Sequence, residues 1–328
     1  MKRVSIKDVA REAGVSISTV SRVLNNSAPV SDDLKEKVEN AIKKLDYMPS
    51  NIAKSLRKGK TGTIGFIIPD ITNPFFANIV RGAEDYLRQR DYTLILCNSD
   101  QDEKQEVKLL ETLISKHIDG LLFTGTGNFN PVLAEKIERG FNVVFLDRII
   151  QGISASYVIV NNSKGMYELL DYLTVTGHKE FVFINGNKET FSAKIRYETF
   201  KKVMGEKKLK FTHFYTNFSY EAGYNFGKKM KKMPDAIVCG NDLIAYGVID
   251  ALEDRGFKIP EDVSVTGFDD IPFSKHYKPP LTTVRQPMYE MGMKAAELLV
   301  KIIEEKQINT EGIILEPQLV IRGSTRRG

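Results

Sequence analysis

Two constellations of side chains in this chain have the residue types and spacing to do chemistry. The first lies in IKDVAREAGVSISTVSRVLN, residues 6–25. Ala10 is small where two helices must approach, Gly14 can take the positive backbone angle of a tight turn, and β-branched Val15 and Val20 can fill the angle between the helices. Ser16 can cap the second helix and point its N-terminus at a phosphate. The outward face of that helix would offer Ile17, Ser18, Ser21 and Arg22 to a major groove, with Thr19 and Asn25 on the same element. That is the chemistry of a helix-turn-helix reading DNA, although a packed helical hairpin without a ligand needs the same glycine and valines.

The second constellation is spread over the rest of the chain, at the ends of apolar runs. Asn73, Phe75 and Phe76 follow TIGFIIP, and Asp147 and Arg148 follow NVVFL. Arg196, Phe218, Asn241 and Asp269 take corresponding places further on, with Gln286 after LTTVR. Carboxylate, guanidinium and amide groups give and take paired hydrogen bonds, and aromatic rings stack on C–H faces, which together suit a polyhydroxylated ligand. Each residue also has a plainer reading: Asn73 as a turn before Pro74, Asp269 as a cap, Phe75 and Phe76 as core, Arg196 as a surface charge.

The elements that must position these groups can be read from periodicity. Apolar residues recur at helical spacing over 6–13, 17–25 and 31–45, enough for a minimal three-helix core, with Ser31 as N-cap and Asp32 and Asp33 in an acidic first turn. From Thr63 the texture changes to apolar strand-like runs (TIGFIIP, YTLILCN, DGLLFTG, NVVFLD) alternating with amphipathic helices, the rhythm of βαβ units on a parallel sheet. It restarts after Val160 with FVFIN, a strand near 212–215, DAIVC and DVSVTGF, and a helix over 288–305 precedes two last strands near 313 and 320. Ligands of open parallel sheets bind at the carboxyl ends of the strands, where the second constellation falls. The expected fold is a small all-α helix-turn-helix head (1–48), a linker (49–61) and an α/β core of two parallel-sheet lobes. The first lobe is 62–161 with 288–317 and the second 162–287 with 318–328, so several strands cross between lobes.

Charge supports the division. Residues 1–60 carry 13 of the 47 Lys and Arg and 7 of the 42 Asp and Glu, a head of +6 ahead of a body of −1, as expected when one end meets a polyanion. The start lacks an apolar leader, and no run approaches the roughly 18 apolar residues of a membrane span, so a cytoplasmic protein is expected. Cys97 and Cys239 sit in apolar runs and read as buried free thiols. The nucleotide-loop, zinc-protease and nucleophile-elbow motifs are absent, and His117, His178, His213 and His276 lack metal-ligand spacing. Neither catalysis, cofactor nor metal is expected.

Those residues carry a resemblance. IKDVAREAGVSISTVSRVLN followed by APVSDDLKEKVENAIKKLDYMPSNIAKSLR resembles the lac repressor/gal repressor family of bacterial transcription regulators. The likeness continues through IGFIIPDITNPFFANIVRGAED, FLDR, SAKIRYETF, GNDLIAYGVIDAL, IPEDVSVTGFDDIP and PPLTTVRQPMYEMG, in family order. It implies a homodimer or tetramer on a pseudo-palindromic operator, with a core related to periplasmic sugar-binding proteins. It implies that Ile17 and Ser18 read bases, that Arg22 makes a more constant contact, and that 50–58 is a hinge helix. There Leu56 would wedge into a minor-groove step, with Lys54 and Arg57 beside it. It also tips the second constellation toward a sugar cleft, ribose-like pentoses first. A purine effector or phosphoprotein corepressor, a sugar-binding transport protein and an enzyme are the alternatives.

Overall fold

The computed structural model describes residues 4–25, 28–47, 60–305 and 310–326, and the chain divides into two compact units between Thr61 and Gly62. In the first unit, α1 (Ile6–Ala13), α2 (Ile17–Asn25) and α3 (Asp32–Lys44) bury Val9, Ala10, Ala13, Val20, Val38 and Ala41, one apolar stripe from each helix. Helix α1 opens with a capping box between Ser5 and Asp8 and ends at Gly14, whose φ of 64° turns the chain toward α2. Ser31 occupies the N-cap position of α3 but makes no side-chain cap bond, and the acidic Asp33 pairs with Lys37 instead.

The second unit holds two parallel sheets and a short two-stranded one. The larger sheet contains β1 (Thr63–Ile68), β2 (Thr93–Asn98), β3 (Gly120–Phe123), β4 (Val143–Leu146), β5 (Ser156–Val160) and β11 (Gly312–Leu315), in the order β11-β5-β4-β3-β1-β2. Its interior strands β3 and β4 are buried at every residue, because helices cover both faces; their sequences, GLLF and VVFL, are accordingly apolar throughout. The smaller sheet runs β7-β6-β8-β9, from Lys210–Tyr215, Glu180–Asn185, Ala236–Cys239 and Ser264–Thr266. Strand β10 (Thr283–Arg285) pairs antiparallel with β12 (Gln318–Val320).

Helices α4 (Pro74–Arg88), α5 (Glu103–Ser115), α6 (Pro131–Glu138) and α11 (Met288–Glu305) belong with the larger sheet. Helices α7 (Asn162–Val175), α8 (Phe191–Glu206), α9 (Tyr220–Lys229) and α10 (Asp242–Glu253) belong with the smaller. The chain passes between the lobes after β5, after β10 and after β11. The crossing of α4 with α11 needs glycine on both sides: a Cβ at Gly82 would sit 2.0 Å from the Tyr289 carbonyl oxygen, and one at Gly292 1.8 Å from that of Ile79. Strand β5, from SYVIV, lies in the stretch where the sequence pattern gave only a break before the second lobe. Both cysteines are free, Cys239 buried and Cys97 half-buried.

Candidate DNA-reading surface and polar cleft

In the head, Ser16 stands before α2 and its Oγ accepts from the Thr19 N–H at 3.1 Å, while sharing hydroxyl contacts with Ser18 and Thr19. Ile17, Ser18 and Arg22 are exposed; an isoleucine 46% exposed at the start of a helix has no core to join. Thr19 is half-buried. Ser21 departs from the expected outward face and is buried at 8% exposure. It lies on α2 between Val20 and Leu24, both of which belong to the head's apolar core, and so falls on the edge of the buried stripe. Asn25 is the last residue of α2. Lys54, Leu56 and Arg57 lie outside the described residues.

In the core, all ten residues of the second constellation line one cleft. Each is delivered by a strand end or by the first turns of the following helix. Asn73 follows β1 and caps α4, its Oδ1 accepting from the Phe75 N–H at 3.0 Å, so the turn reading and the cleft reading hold together. Phe75 and Phe76 are edge-to-face at 5.1 Å between centroids. Asn241 follows β8 and caps α10 through Oδ1, leaving its Nδ2 buried without a partner. Arg196 lies in the second turn of α8, and Phe218 precedes α9. Pro69, Asp70, Gln101 and Ser192 also line the cleft and were not singled out from sequence. Of these, Asp70, a carboxyl directly after TIGFIIP, and Ser192, four residues before Arg196 on α8 and hence on its face, carried a readable signal.

Asp147 and Asp269 hold equivalent places, after β4 and after β9, and both have positive φ, 60° and 127°. Asp147 is the middle of a three-residue turn in which the Arg148 N–H donates to the Leu146 carbonyl at 2.6 Å. Such backbone costs about 1–3 kcal/mol at a residue with a side chain, and here it aims two carboxyl groups from opposite lobes. Gln286 donates from Nε2 to Asp269 Oδ1 at 2.6 Å. Arg196 donates from Nε to Asn162 Oδ1 at 2.8 Å and from Nη1 to the Gly240 carbonyl at 2.6 Å, and its guanidinium stacks 3.7 Å from the Phe268 ring centre. Arg148 donates from Nη1 to the Gly125 carbonyl at 2.5 Å and has Asp147 Oδ2 3.5 Å from its Nε.

Burial dominates the electrostatics. It pushes the Asp147 carboxyl up, with Arg148 and Arg196 pulling it back, and pushes Asp269 well above the usual range, opposed by Arg196 and reinforced by Asp242. Both guanidinium groups are lowered by the same desolvation. Two guanidinium groups thus share the lining with three carboxyls, Asp70, Asp147 and Asp269, and cations are not in excess. Three buried atoms of the lining, Arg148 Nε, Asn241 Nδ2 and Gln286 Oε1, have no hydrogen-bond partner. Unpaired buried polar groups are costly, and these three, half of the six such side-chain atoms among the described residues, leave hydrogen-bonding capacity facing the cleft. Among the described residues, no cluster of His, Cys, Asp and Glu is arranged to hold a metal, and no helix is long and apolar enough to cross a membrane.

A helix-turn-helix head on a two-lobe α/β core defines a DNA-binding transcription regulator, and comparison with known proteins gives its family. The model for bacterial regulatory proteins of the lacI family matches residues 5–50, and that for a periplasmic binding protein-like domain matches 170–325. The HTH-type transcriptional regulator RegA of Clostridium saccharobutylicum is 39% identical, over 98% of this chain and 99% of its own. The HTH-type transcriptional repressor PurR of Vibrio parahaemolyticus is 34% identical over 98% and 99%. The ribose operon repressor of Halalkalibacterium halodurans is 36% identical over 99% and 98%. A lac repressor dimer bound to operator and the anti-inducer ONPF superposes with a TM-score of 0.86 at 25% identity, covering 99% of each chain. The chain belongs to the lacI family of bacterial regulatory proteins.

Proposed function

We propose that the protein is a repressor that binds a pseudo-palindromic operator as a homodimer and whose operator affinity is set by a small neutral sugar in the cleft, a ribose-like pentose before a hexose. One three-helix head buries too little surface to be specific alone, so paired heads are needed. Ile17 and Ser18 read bases, and Arg22 makes a base or phosphate contact. Lys54, Leu56 and Arg57 act at the central minor groove.

The observation that carries the effector reading is the trio of unpartnered atoms, Arg148 Nε, Asn241 Nδ2 and Gln286 Oε1, in a lining without cationic excess. Two donors and one acceptor beside two carboxyl groups match hydroxyls that both give and accept. A sugar phosphate calls for cationic excess, and here Asp147 and Asp269 offset Arg148 and Arg196. Phe75, Phe76 and Phe218 supply faces for one ring. Of the relatives at similar identity, one is named a ribose operon repressor and another a repressor PurR, and the charge pattern of the lining favours the sugar.

A thermal-shift screen of pentoses, hexoses, sugar phosphates and purines tests it, repeated with Arg196→Ala and Asp269→Ala. A pentose should raise the melting temperature of the wild type and of neither variant. A rise with purines or sugar phosphates alone refutes the sugar assignment and leaves the cleft.

A further inference from the structure

Behind the cleft wall, outside the residues that line it, lies a buried carboxylate. Glu106, in the first turn of α5, is 2% exposed, and both its oxygens are engaged. Oε2 accepts from the Thr126 N–H at 2.7 Å and Oε1 from Asn130 Nδ2 at 3.1 Å. Asn130 is itself fixed, because its Oδ1 caps α6 through the Leu133 N–H. The Thr126 N–H belongs to the same peptide group as the Gly125 carbonyl, which accepts from Arg148 Nη1. A single peptide unit is thus held at its N–H by a carboxylate and at its carbonyl by a guanidinium, each charge on the dipole end that it favours.

We propose that Glu106 is a positioning residue for the cleft: through the Gly125–Thr126 peptide it fixes the Arg148 guanidinium in the orientation presented to a ligand. The inference rests on the reading of the cleft as the effector site. Besides the Gly125 carbonyl, Arg148 is restrained by the buried ion pair with Asp147, whose Oδ2 stands 3.5 Å from Nε, and Nε itself has no hydrogen-bond partner. Without the carboxylate, the Thr126 N–H would be buried and unpaired. The peptide would rotate toward another acceptor, and the carbonyl that holds Nη1 would move with it. Glutamine cannot substitute, because with its oxygen on the Thr126 N–H its amide would face the Asn130 amide donor to donor. Burial raises the Glu106 pKa, while the Thr126 and Asn130 bonds and the Arg148 charge pull it back.

Arginine side-chain NMR of the ligand-free, full-length protein reads the coupling directly. The Arg148 Nε–H signal, assigned by its loss in Arg148→Lys, should be resolved in the wild type. In Glu106→Gln its exchange with solvent should accelerate by about tenfold or more, the scale of losing the Nη1 bond to the Gly125 carbonyl that holds the whole guanidinium in place. Glu106→Asp keeps the charge but withdraws it from the peptide, should accelerate exchange likewise, and gives the answer should the glutamine variant not fold. An Arg148 signal unchanged in these variants, with only a lowered melting temperature, overturns the proposal. Titration calorimetry with D-ribose then completes a cycle. Glu106→Gln should weaken binding about tenfold in the wild type and less than about twofold in Arg148→Met, and equal losses in both backgrounds also overturn it. Failure of ribose to bind the wild type counts against the sugar reading, whereas the NMR result decides the role of Glu106 independently.

Discussion

Replacing Asp269 by asparagine should weaken effector binding strongly while leaving the ligand-free fold nearly as stable as before. Asp269 Oδ1 already accepts from Gln286 Nε2 at 2.6 Å. An asparagine must keep its oxygen there, since the reverse orientation would set two amide groups donor to donor. The new NH₂ therefore replaces Oδ2, and the one atom free to accept from a sugar hydroxyl becomes a donor. A charge-assisted bond of about 1.5–3 kcal/mol is lost, a rise in Kd of about 10- to 150-fold. Stability responds differently. Burial already disfavours the ionised carboxyl, and Arg196 keeps Asn162, the Gly240 carbonyl, the Phe268 ring and the charges of Asp147 and Asp242. The loss of one attraction and the relief of one desolvation penalty should offset to within about 1 kcal/mol, or a few degrees of melting temperature. Calorimetric titration with D-ribose and thermal unfolding without it, both at pH 7.5, give the two numbers. An unchanged Kd would show that Asp269 does not meet the ligand. A fall of more than about 10 °C in melting temperature would show a structural residue instead.

Three further predictions concern the frame around the sites. Asp242 is wholly buried, accepting from Ser274 Oγ, Thr283 Oγ1 and the Ile271 N–H, and its pKa is pushed up from 3.8 to about 6 by desolvation. The folded state therefore holds this proton longer than the unfolded one, and its contribution is lost as pH rises from about 4 through 6. Denaturation at several pH values should show Asp242→Asn gaining about 3 kcal/mol on the wild type across that window, and parallel curves would refute it. Arg22→Ala should weaken operator binding and lower the slope of log affinity against log salt by about one in filter-binding titrations; an unchanged slope removes Arg22 from the phosphates. Gly292→Ala drives a methyl group into the Ile79 carbonyl, so denaturant unfolding should show a loss of about 3 kcal/mol, and a neutral substitution would contradict the α4–α11 contact.

Much of this frame was legible because its signals are local. The helix expected over 288–305 is α11, since its apolar residues recur at helical spacing along its whole length. Strand β5 escaped because SYVIV is short and runs directly into the Asn161 cap. The cleft residues were found by type at strand ends, where a parallel sheet must place its ligand. Glu106 and Asp242 were passed over for the opposite reason. Each sits in the first turn of a helix, where an acidic residue reads as a favourable charge on an exposed end, and only long-range packing buries them. Ser21 shows the same limit from the other side: helical spacing gives a face, but its border is set by what packs against it.

The central claim is that cleft and operator are linked, and linkage is reciprocal. An operator selected from random DNA, titrated with the full-length protein in the presence and absence of saturating D-ribose, gives one factor. D-ribose titrated into the free protein and into its operator complex gives the other. The account predicts that both factors depart from unity by about tenfold or more, and that they are equal. Ribose that binds the cleft with no change in operator affinity, or two factors that disagree, would contradict it.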